Sequence, residues 1–178
     1  MKYRGYKIDL VVVLALLTLL ILIGGHVAYE RIFIEHPLLN QLQSIPGVVT
    51  ASVEKATDSY NITLDSTVNN NLPTIYRQAA EVAQHILGSN HFALRIIDNR
   101  TTALENIYWQ IQIYIEEAVA QGNFSVAAEK ISELAKQAGV QANFYVDEER
   151  VYLELLQNEA YLYAVRPRTI PQKGVADL

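Results

Sequence analysis

Four histidines are the residues of this chain whose type is most often found in metal sites. They are His26, His36, His85 and His91. No two of them have the i, i+4 spacing that places both ligands of a zinc site on one helix face, and no HExxH motif occurs. His85 and His91 flank one predicted turn and could approach each other. Their spacing nevertheless favours surface histidines over a metal site.

Two acidic runs could support acid–base chemistry. Paired carboxylates transfer protons when one of them is buried and its pKa is raised. Glu116-Glu117 ends a helix face predicted to be exposed, and Asp147-Glu148-Glu149 lies in a predicted hairpin turn without the spacing or glycine of a calcium loop. No nucleophile elbow, P-loop or dinucleotide fingerprint occurs. We therefore predict that the protein is not an enzyme and has no cofactor and no metal.

Aromatic residues near the C-terminus are the better candidates for a site, and the chemistry they suggest is partner binding. The candidate interaction surface consists of Trp109, Tyr145, Tyr152, Tyr161 and Tyr163. Tyr161 and Tyr163 share one strand face, while Leu162 points to the other. Tyrosine and tryptophan are enriched at protein interfaces. The alternative is that these tyrosines pack under helices of the same chain, and the sequence leaves both interpretations open.

The residues from 36 to 99 are predicted to form an α-β-β-α-β module. Pro37 marks a break or the first turn of a helix, and Ile45-Pro46-Gly47 stops that helix. Alternation of Tyr60, Ile62 and Leu64 with polar residues indicates a strand with one buried face. The predicted elements are a helix at 37–44, strands at 48–54 and 60–65, a helix at 72–87 and a strand at 92–96.

The residues from 100 to 166 are predicted to form a second module with the order α-α-β-β-β. Thr102 and Glu105 fit a capping box, and Ser125 can cap the next helix. Trp109 falls partly off the apolar stripe of its helix, which indicates a second contact surface there. The predicted elements are helices at 103–120 and 126–138, strands at 140–146, 151–156 and 160–165, and a flexible tail at 167–178. The fold class is α+β.

An apolar segment precedes both modules. Residues 10–29 are long enough to span a bilayer, since about 20 residues at about 1.5 Å each cross the hydrocarbon core. Lys2, Arg4 and Lys7 precede it, so the positive-inside bias places residues 1–9 in the cytoplasm and the rest outside. A cleavable signal peptide is the rival interpretation, but no small-residue pair fits a cleavage site well. We predict a retained single-pass anchor in the cell membrane.

The composition of residues 30–178, the predicted external part, limits the classes of partner that they can bind. The chain has no cysteine, so it has no disulfide or thiolate site. Three of its 14 Lys and Arg residues and one of its 19 Asp and Glu residues precede the span, which leaves residues 30–178 with a net charge of −7. An acidic surface argues against nucleic acid, which rewards basic faces. The predicted partners are the lipid bilayer and either further copies of the chain or another envelope protein.

The element order of residues 37–98, behind a membrane anchor, resembles the ring-building motif of membrane-anchored sporulation and secretion-system proteins. Pro46-Gly47-Val48 and the helix from Leu72 to Leu87 are the landmarks that carry the resemblance. It implies homotypic packing between modules and supplies no catalytic residues. The segment from Asn99 onward has no counterpart in that motif.

The sequence as a whole predicts a membrane-anchored extracytoplasmic structural or interaction protein that self-assembles or docks a partner. The alternative is a ligand-binding or sensor module with a pocket between the sheet and helix 103–120. A cell-envelope hydrolase is the third hypothesis, and it would need a cluster of His85, His91 and carboxylates in a cleft.

Overall fold

The computed structural model describes residues 8–57, 59–67, 71–88 and 91–168. These residues form an α+β fold with five α-helices and two three-stranded sheets. The predicted cytoplasmic segment lies outside the described residues up to residue 7, and the predicted tail lies outside them from residue 169. The helices are α1 (Ile8–Glu30), α2 (His36–Gln43), α3 (Leu72–Leu87), α4 (Thr102–Gln121) and α5 (Phe124–Gln137).

The first sheet has the strand order β1-β2-β3, with β1 at Val48–Lys55, β2 at Ser59–Ser66 and β3 at His91–Ile96. β1 and β2 form the predicted antiparallel hairpin, and β3 pairs parallel to β2 because α3 makes the crossover between them. Helices α2 and α3 cover one face, where Tyr60, Ile62 and Leu64 are buried. The alternation seen in the sequence is thus confirmed.

The second sheet is an antiparallel meander of β4 (Gln141–Val146), β5 (Arg150–Gln157) and β6 (Ala160–Pro167). The helical hairpin of α4 and α5 packs on one of its faces, against Val151, Leu153 and Leu155. The element order of both modules is therefore as predicted, and the bounds differ by one or two residues at most of the helix and strand ends.

Two predicted helix caps are wrong by a small offset. Thr101, in extended conformation, caps α4, and its hydroxyl oxygen accepts a hydrogen bond from the Leu104 N–H at 3.3 Å. Thr102 is already helical, so the capping box with Glu105 does not form. Helix α5 begins two residues earlier than predicted, with Asn123 rather than Ser125 at the N-cap position. Adjacent Thr and Asn residues offer alternative caps, and a one-residue choice depends on backbone conformation that the pattern does not encode.

The N-terminal helix continues into the first module without a non-helical residue. A π-helical segment, Arg31–Glu35, joins α1 to α2, and Pro37 lies in the first turn of α2. Leu38 and Leu42 of α2 are fully buried in the first core. In α1 the described side chains from Val12 to Leu22 are all exposed.

Over the residues that the structure describes, no helix combines the length and the apolar character that a membrane crossing requires. The span at residues 10–29 stays a prediction.

The two modules share a buried junction. Along β5, Val151, Leu153 and Leu155 belong to the second core, whereas Tyr152 belongs to the first. Tyr163 of β6 also packs in the first core. The second sheet is therefore covered by its own helices on one side and by the first module on the other.

Candidate interaction surfaces

The structure divides the five residues of the candidate interaction surface into two groups. Tyr152 and Tyr163 are buried between the modules, and Tyr161 is half-buried against the same core. For Tyr152 and Tyr163 the structure favours the alternative that the sequence left open, packing within the chain. The reason is tertiary, because the strand face that carries them is covered by the first module. Their rings have aromatic neighbours there: the Tyr161 and Tyr163 centroids are 5.2 Å apart, and Tyr152 meets Tyr76 edge-on at 6.0 Å.

Trp109 and Tyr145 form the exposed group. Trp109 is 63% exposed on the outer face of α4, and Ile113, one turn later, is 68% exposed. Residues four apart on a helix are neighbours, so these two side chains make one apolar patch, the α4 patch. Tyr145 is 40% exposed on the outermost strand β4. Single exposed apolar side chains are common, but an adjacent tryptophan and isoleucine resemble the core of a protein interface.

A buried carboxylate links the modules. Glu154 of β5 is 4% exposed, and its two oxygens accept hydrogen bonds from the Leu72 N–H at 3.0 Å and from the Asn143 side-chain amide at 2.9 Å. Leu72 is the first residue of α3, where unpaired N–H groups and the helix dipole favour a negative charge. Among the described residues Glu154 forms no ion pair, so these donors are what stabilise its burial.

The β4–β5 turn is organised by a second carboxylate, Asp147. One oxygen accepts hydrogen bonds from the Glu149 and Arg150 N–H groups at 2.8 and 2.7 Å, and the other accepts from the Tyr152 hydroxyl at 2.7 Å. Partial burial acts to raise the pKa of Asp147, but these hydrogen bonds outweigh it, so the pKa is lowered. Burial and the bond to Asp147 raise the pKa of the Tyr152 hydroxyl. Asp147 therefore holds the conformation of this turn through three hydrogen bonds.

A third carboxylate, that of Asp98, lies beside the edge strand β6 and accepts a backbone hydrogen bond from it. Asp98 accepts both an Arg100 guanidinium fork, at 2.9 and 2.6 Å, and the Tyr163 N–H at 3.1 Å. Asn99 forms an isolated bridge with Tyr161. Burial, and after it the charge of Glu154, raises the pKa of the Tyr163 hydroxyl to about 12. The connection between β3 and α4 thus covers the edge of β6 at Tyr161 and Tyr163.

A cleft of about 830 Å³ lies where α3 meets the β4–β5 turn. Arg77, Glu81 and His85 line it from α3, Phe92 lines it from β3, and residues 147–150 form the opposite wall. Arg150 closes one end, with its guanidinium 5.3 Å from the Tyr76 ring centroid and paired with Glu149 at 2.6 Å. The walls carry both signs of charge, with four carboxylates against two arginines.

The pocket that the sequence placed between the sheet and helix 103–120 corresponds to a small depression. It measures about 280 Å³ and lies between α4 and β6, with Arg100, Tyr108 and Arg166 at its rim. Its arginines are already engaged, since Arg100 pairs with Asp98 and Arg166 lies 3.8 Å from Glu116. A depression of this size is at the lower limit for small-molecule sites.

The residues considered for metal or acid–base chemistry are dispersed. His85 lines the cleft, His91 is exposed at the start of β3, and Glu116 and Glu117 are exposed on α4. Within the described ranges no group of three His, Asp or Glu side chains could hold a metal ion. The carboxylates Glu154 and Asp98 were missed at the sequence level, and Asp147 was named there only as part of an acidic run, because nothing local distinguishes a buried Glu or Asp from a solvated one.

Comparison with known proteins finds neither a matching family model nor a matching curated protein.

Proposed function

We propose that the protein is a membrane-anchored extracytoplasmic interaction protein, held by α1 and presenting its two-module domain for self-assembly or for docking an envelope partner. The observation that carries the proposal is the helix α1, whose described side chains from Val12 to Leu22 are exposed around the whole helix circumference. A helix that is apolar on all sides is normally buried in a protein core or in lipid. Neither module covers these described side chains.

The apolar run in the sequence is longer than the part of α1 whose side chains the structure describes. The described side chains from Val12 to Leu22 number eleven, fewer than the about 20 residues that a span requires. The remaining length comes from the apolar run over 10–29, with three basic residues before it. The helical backbone from Ile8 to Glu30 is compatible with that length. Together these features favour a single span with the N-terminus in the cytoplasm.

The interaction role is supported by the α4 patch. Trp109 and Ile113 are exposed on the folded domain, away from α1 in sequence and not needed to cover the second core. A tryptophan beside an isoleucine is the type of pair that dominates binding energy when a partner covers it. The carboxylates Glu154, Asp147 and Asp98, in contrast, are saturated by hydrogen bonds, which suits a structural role for them.

The anchor is tested with the full chain and phospholipid vesicles. We expect the protein to float with vesicles and to resist extraction by alkaline carbonate. Replacing Leu16 and Leu20 by lysine puts two charges at the centre of the apolar run, at about 2.5–3.5 kcal/mol each, and should move the protein to the soluble fraction. Ser132→Lys and Gln137→Lys, at exposed positions of α5, give the same charge change on the folded domain and should leave flotation intact. Wild-type chain in the soluble fraction would refute the anchor.

The interaction role is tested by Trp109→Ala in the full chain, with Gln110→Ala as the control on the same exposed helix face. We expect wild type to form cross-linked oligomers, or to retain an envelope protein, and the tryptophan variant to lose at least about tenfold in affinity, since an interface hot spot contributes about 2 kcal/mol or more. The control should behave as wild type. A wild-type chain that is monomeric and captures no neighbour in its native membrane would contradict the proposal.

The cleft favours one second candidate, a ligand-binding module. Its volume of about 830 Å³ lies within the usual range of small-molecule sites, and it is located at a junction between modules, where such sites are common. A compound that raises the Tm of wild type but not of Ala80→Trp, whose indole would fill the cleft, would favour this function. The α4 patch is the stronger feature, because both of its side chains are apolar and more than 60% exposed.

A further inference from the structure

The anchor and the folded domain are joined by continuous helix. Between α1 and α2 only the π-helical segment Arg31–Glu35 intervenes, and it contains no turn or extended residue. Helix α2 is itself part of the first core through Leu38 and Leu42. A flexible tether would allow the domain to move away from the bilayer, whereas this connection is a stiff rod fixed at one end in the core.

The π-helical segment sets which side chains face the domain. Ile34, Leu38 and Leu42 follow each other at four-residue steps and pack on the first core. Ile32 and Phe33 precede this stripe and point away from it, with exposed fractions of 59% and 62%. Single π-helical turns inside α-helices shift the register of a helix face, and they occur often at functional positions. Ile32 and Phe33 are thus two large, mostly exposed apolar side chains directly beyond α1.

The position of these side chains matches one layer of a bilayer. The interfacial region on each side of the hydrocarbon core is about 5–7 Å thick. Ile32 and Phe33 follow residue 29 by three and four positions, which is about 4–6 Å at about 1.5 Å per residue. A lipid surface is therefore the occupant that this patch fits.

We propose that Ile32 and Phe33 are embedded in the bilayer interface and that, with the unbroken helix, they hold the domain against the membrane in one orientation. This inference rests on the proposed anchor. Leu38, whose side chain is in the domain core, is nine residues from position 29, so the first core lies within about 14 Å of the hydrocarbon edge. The domain presents its partners a surface at a fixed height and angle above the bilayer.

The test uses the fact that the chain has a single tryptophan. Trp109→Phe provides a background in which Phe33→Trp, or Ile32→Trp as a second variant, is the only indole. Gln41→Trp in the same background is the matched control, because residue 41 is exposed on α2 and two turns farther from the span. Each full-length variant is reconstituted in phosphatidylcholine vesicles, and its emission is quenched either by aqueous iodide or by lipid brominated near the headgroup.

We expect indoles at 32 and 33 to emit at shorter wavelength than the indole at 41, to be quenched by brominated lipid and to be several-fold less sensitive to iodide. Variants that float with vesicles but whose indoles at 32 and 33 respond to iodide like that at 41 would overturn the inference and leave the anchor standing. Variants that do not float would overturn both. The two failures are therefore distinguishable.

Discussion

The two sheets of this protein have the same number of strands but opposite surroundings. In the first sheet, helices cover one face, so the central strand β2 alternates between buried side chains and side chains that are half-buried or, at Asn61, exposed. In the second sheet, the central strand β5 is buried on both faces from Val151 to Leu155. The second sheet thus forms the middle layer of the molecule, between its own helices and the first module.

The difference shows that a polar or amphipathic residue on a strand does not by itself mark an open face. On β2, Asn61 lies opposite the helices and is exposed. At the equivalent face of β5, Tyr152 and Glu154 are buried, because Asp147, Leu72 and Asn143 supply their hydrogen-bonding partners. Buried polar groups are tolerated when they are satisfied in this way. Four changes test this contrast, all measured on the full chain in detergent micelles.

The largest effect is expected for Tyr152→Ala. It removes a fully buried ring from the junction and should cost about 3–5 kcal/mol of unfolding free energy, the usual range for buried aromatic residues. Asn61→Ala, on the corresponding face of the first sheet, should change the unfolding free energy by less than about 0.5 kcal/mol. Urea unfolding followed by circular dichroism gives both values. Equal, small losses would mean that this face of the second sheet is open in solution.

Glu154→Ala should have the next largest effect. It leaves the Leu72 N–H and the Asn143 amide without their acceptor in a buried place, which should cost about 1–3 kcal/mol. Glu159→Ala, in the exposed β5–β6 turn, removes the same side chain from a solvated position and should be within about 0.5 kcal/mol of wild type. If the two alanine variants were equally stable, Glu154 would not link the modules.

Tyr152→Phe should cost about 1 kcal/mol near neutral pH, because the ring stays and the hydrogen bond to Asp147 is lost. The pKa of Asp147 is lower in the folded than in the unfolded protein, so the unfolded state binds the proton first as pH falls. The stabilisation is therefore present above the ordinary aspartate pKa and is lost as pH falls through the folded value. Thermal unfolding between pH 7 and pH 2 should show a shallower acid loss for Tyr152→Phe and Asp147→Asn than for wild type. If wild type and both variants lost the same thermal stability between pH 7 and pH 2, the stabilising role assigned to Asp147 would be contradicted.

The smallest effect on the unfolding free energy at neutral pH is expected for Tyr163→Phe, which removes only the hydroxyl of that residue. The pKa of this hydroxyl is raised to about 12 in the folded protein, so it contributes stability below about pH 10, where unfolded tyrosine titrates, and that stability is lost as pH rises toward 12. Absorbance at 295 nm should show that Tyr163 ionises after the exposed tyrosines, and Tyr163→Phe should reduce the alkaline loss of stability. Tyr114→Phe, on α4 and outside the junction, is the control. A wild-type titration with all tyrosines ionising near pH 10 would refute the buried junction.

Much of the fold could be read from the sequence. The helices at α3 and α4 and the hairpin of β1 and β2 follow from apolar periodicity and from stop signals such as Pro46, Gly88 and Gly122. These signals are local, since each depends on residues within one turn or one strand. The parallel pairing of β3 with β2 was not predicted, because it depends on where the α3 crossover returns the chain.

The candidate surface was predicted only in part. Trp109 was found because it deviates from the apolar stripe of its own helix, which is a local signal. Tyr152 and Tyr163 were assigned equally to a surface or to packing, and the structure decides for packing. The cleft between α3 and the β4–β5 turn had no signal at all, since its walls are about 60 residues apart in the chain.

By itself, the sequence determined the element order, the α+β class, the absence of cysteine and an apolar N-terminal run, because each follows from composition or short-range periodicity. Only the tertiary structure decided that the modules share a junction, that Glu154 is buried against α3, and that α1 continues into α2 without a tether. Those features depend on contacts between residues such as Leu72 and Glu154, which are 82 positions apart. Side-chain type records what a residue prefers, whereas the packing of distant elements determines which surroundings it meets.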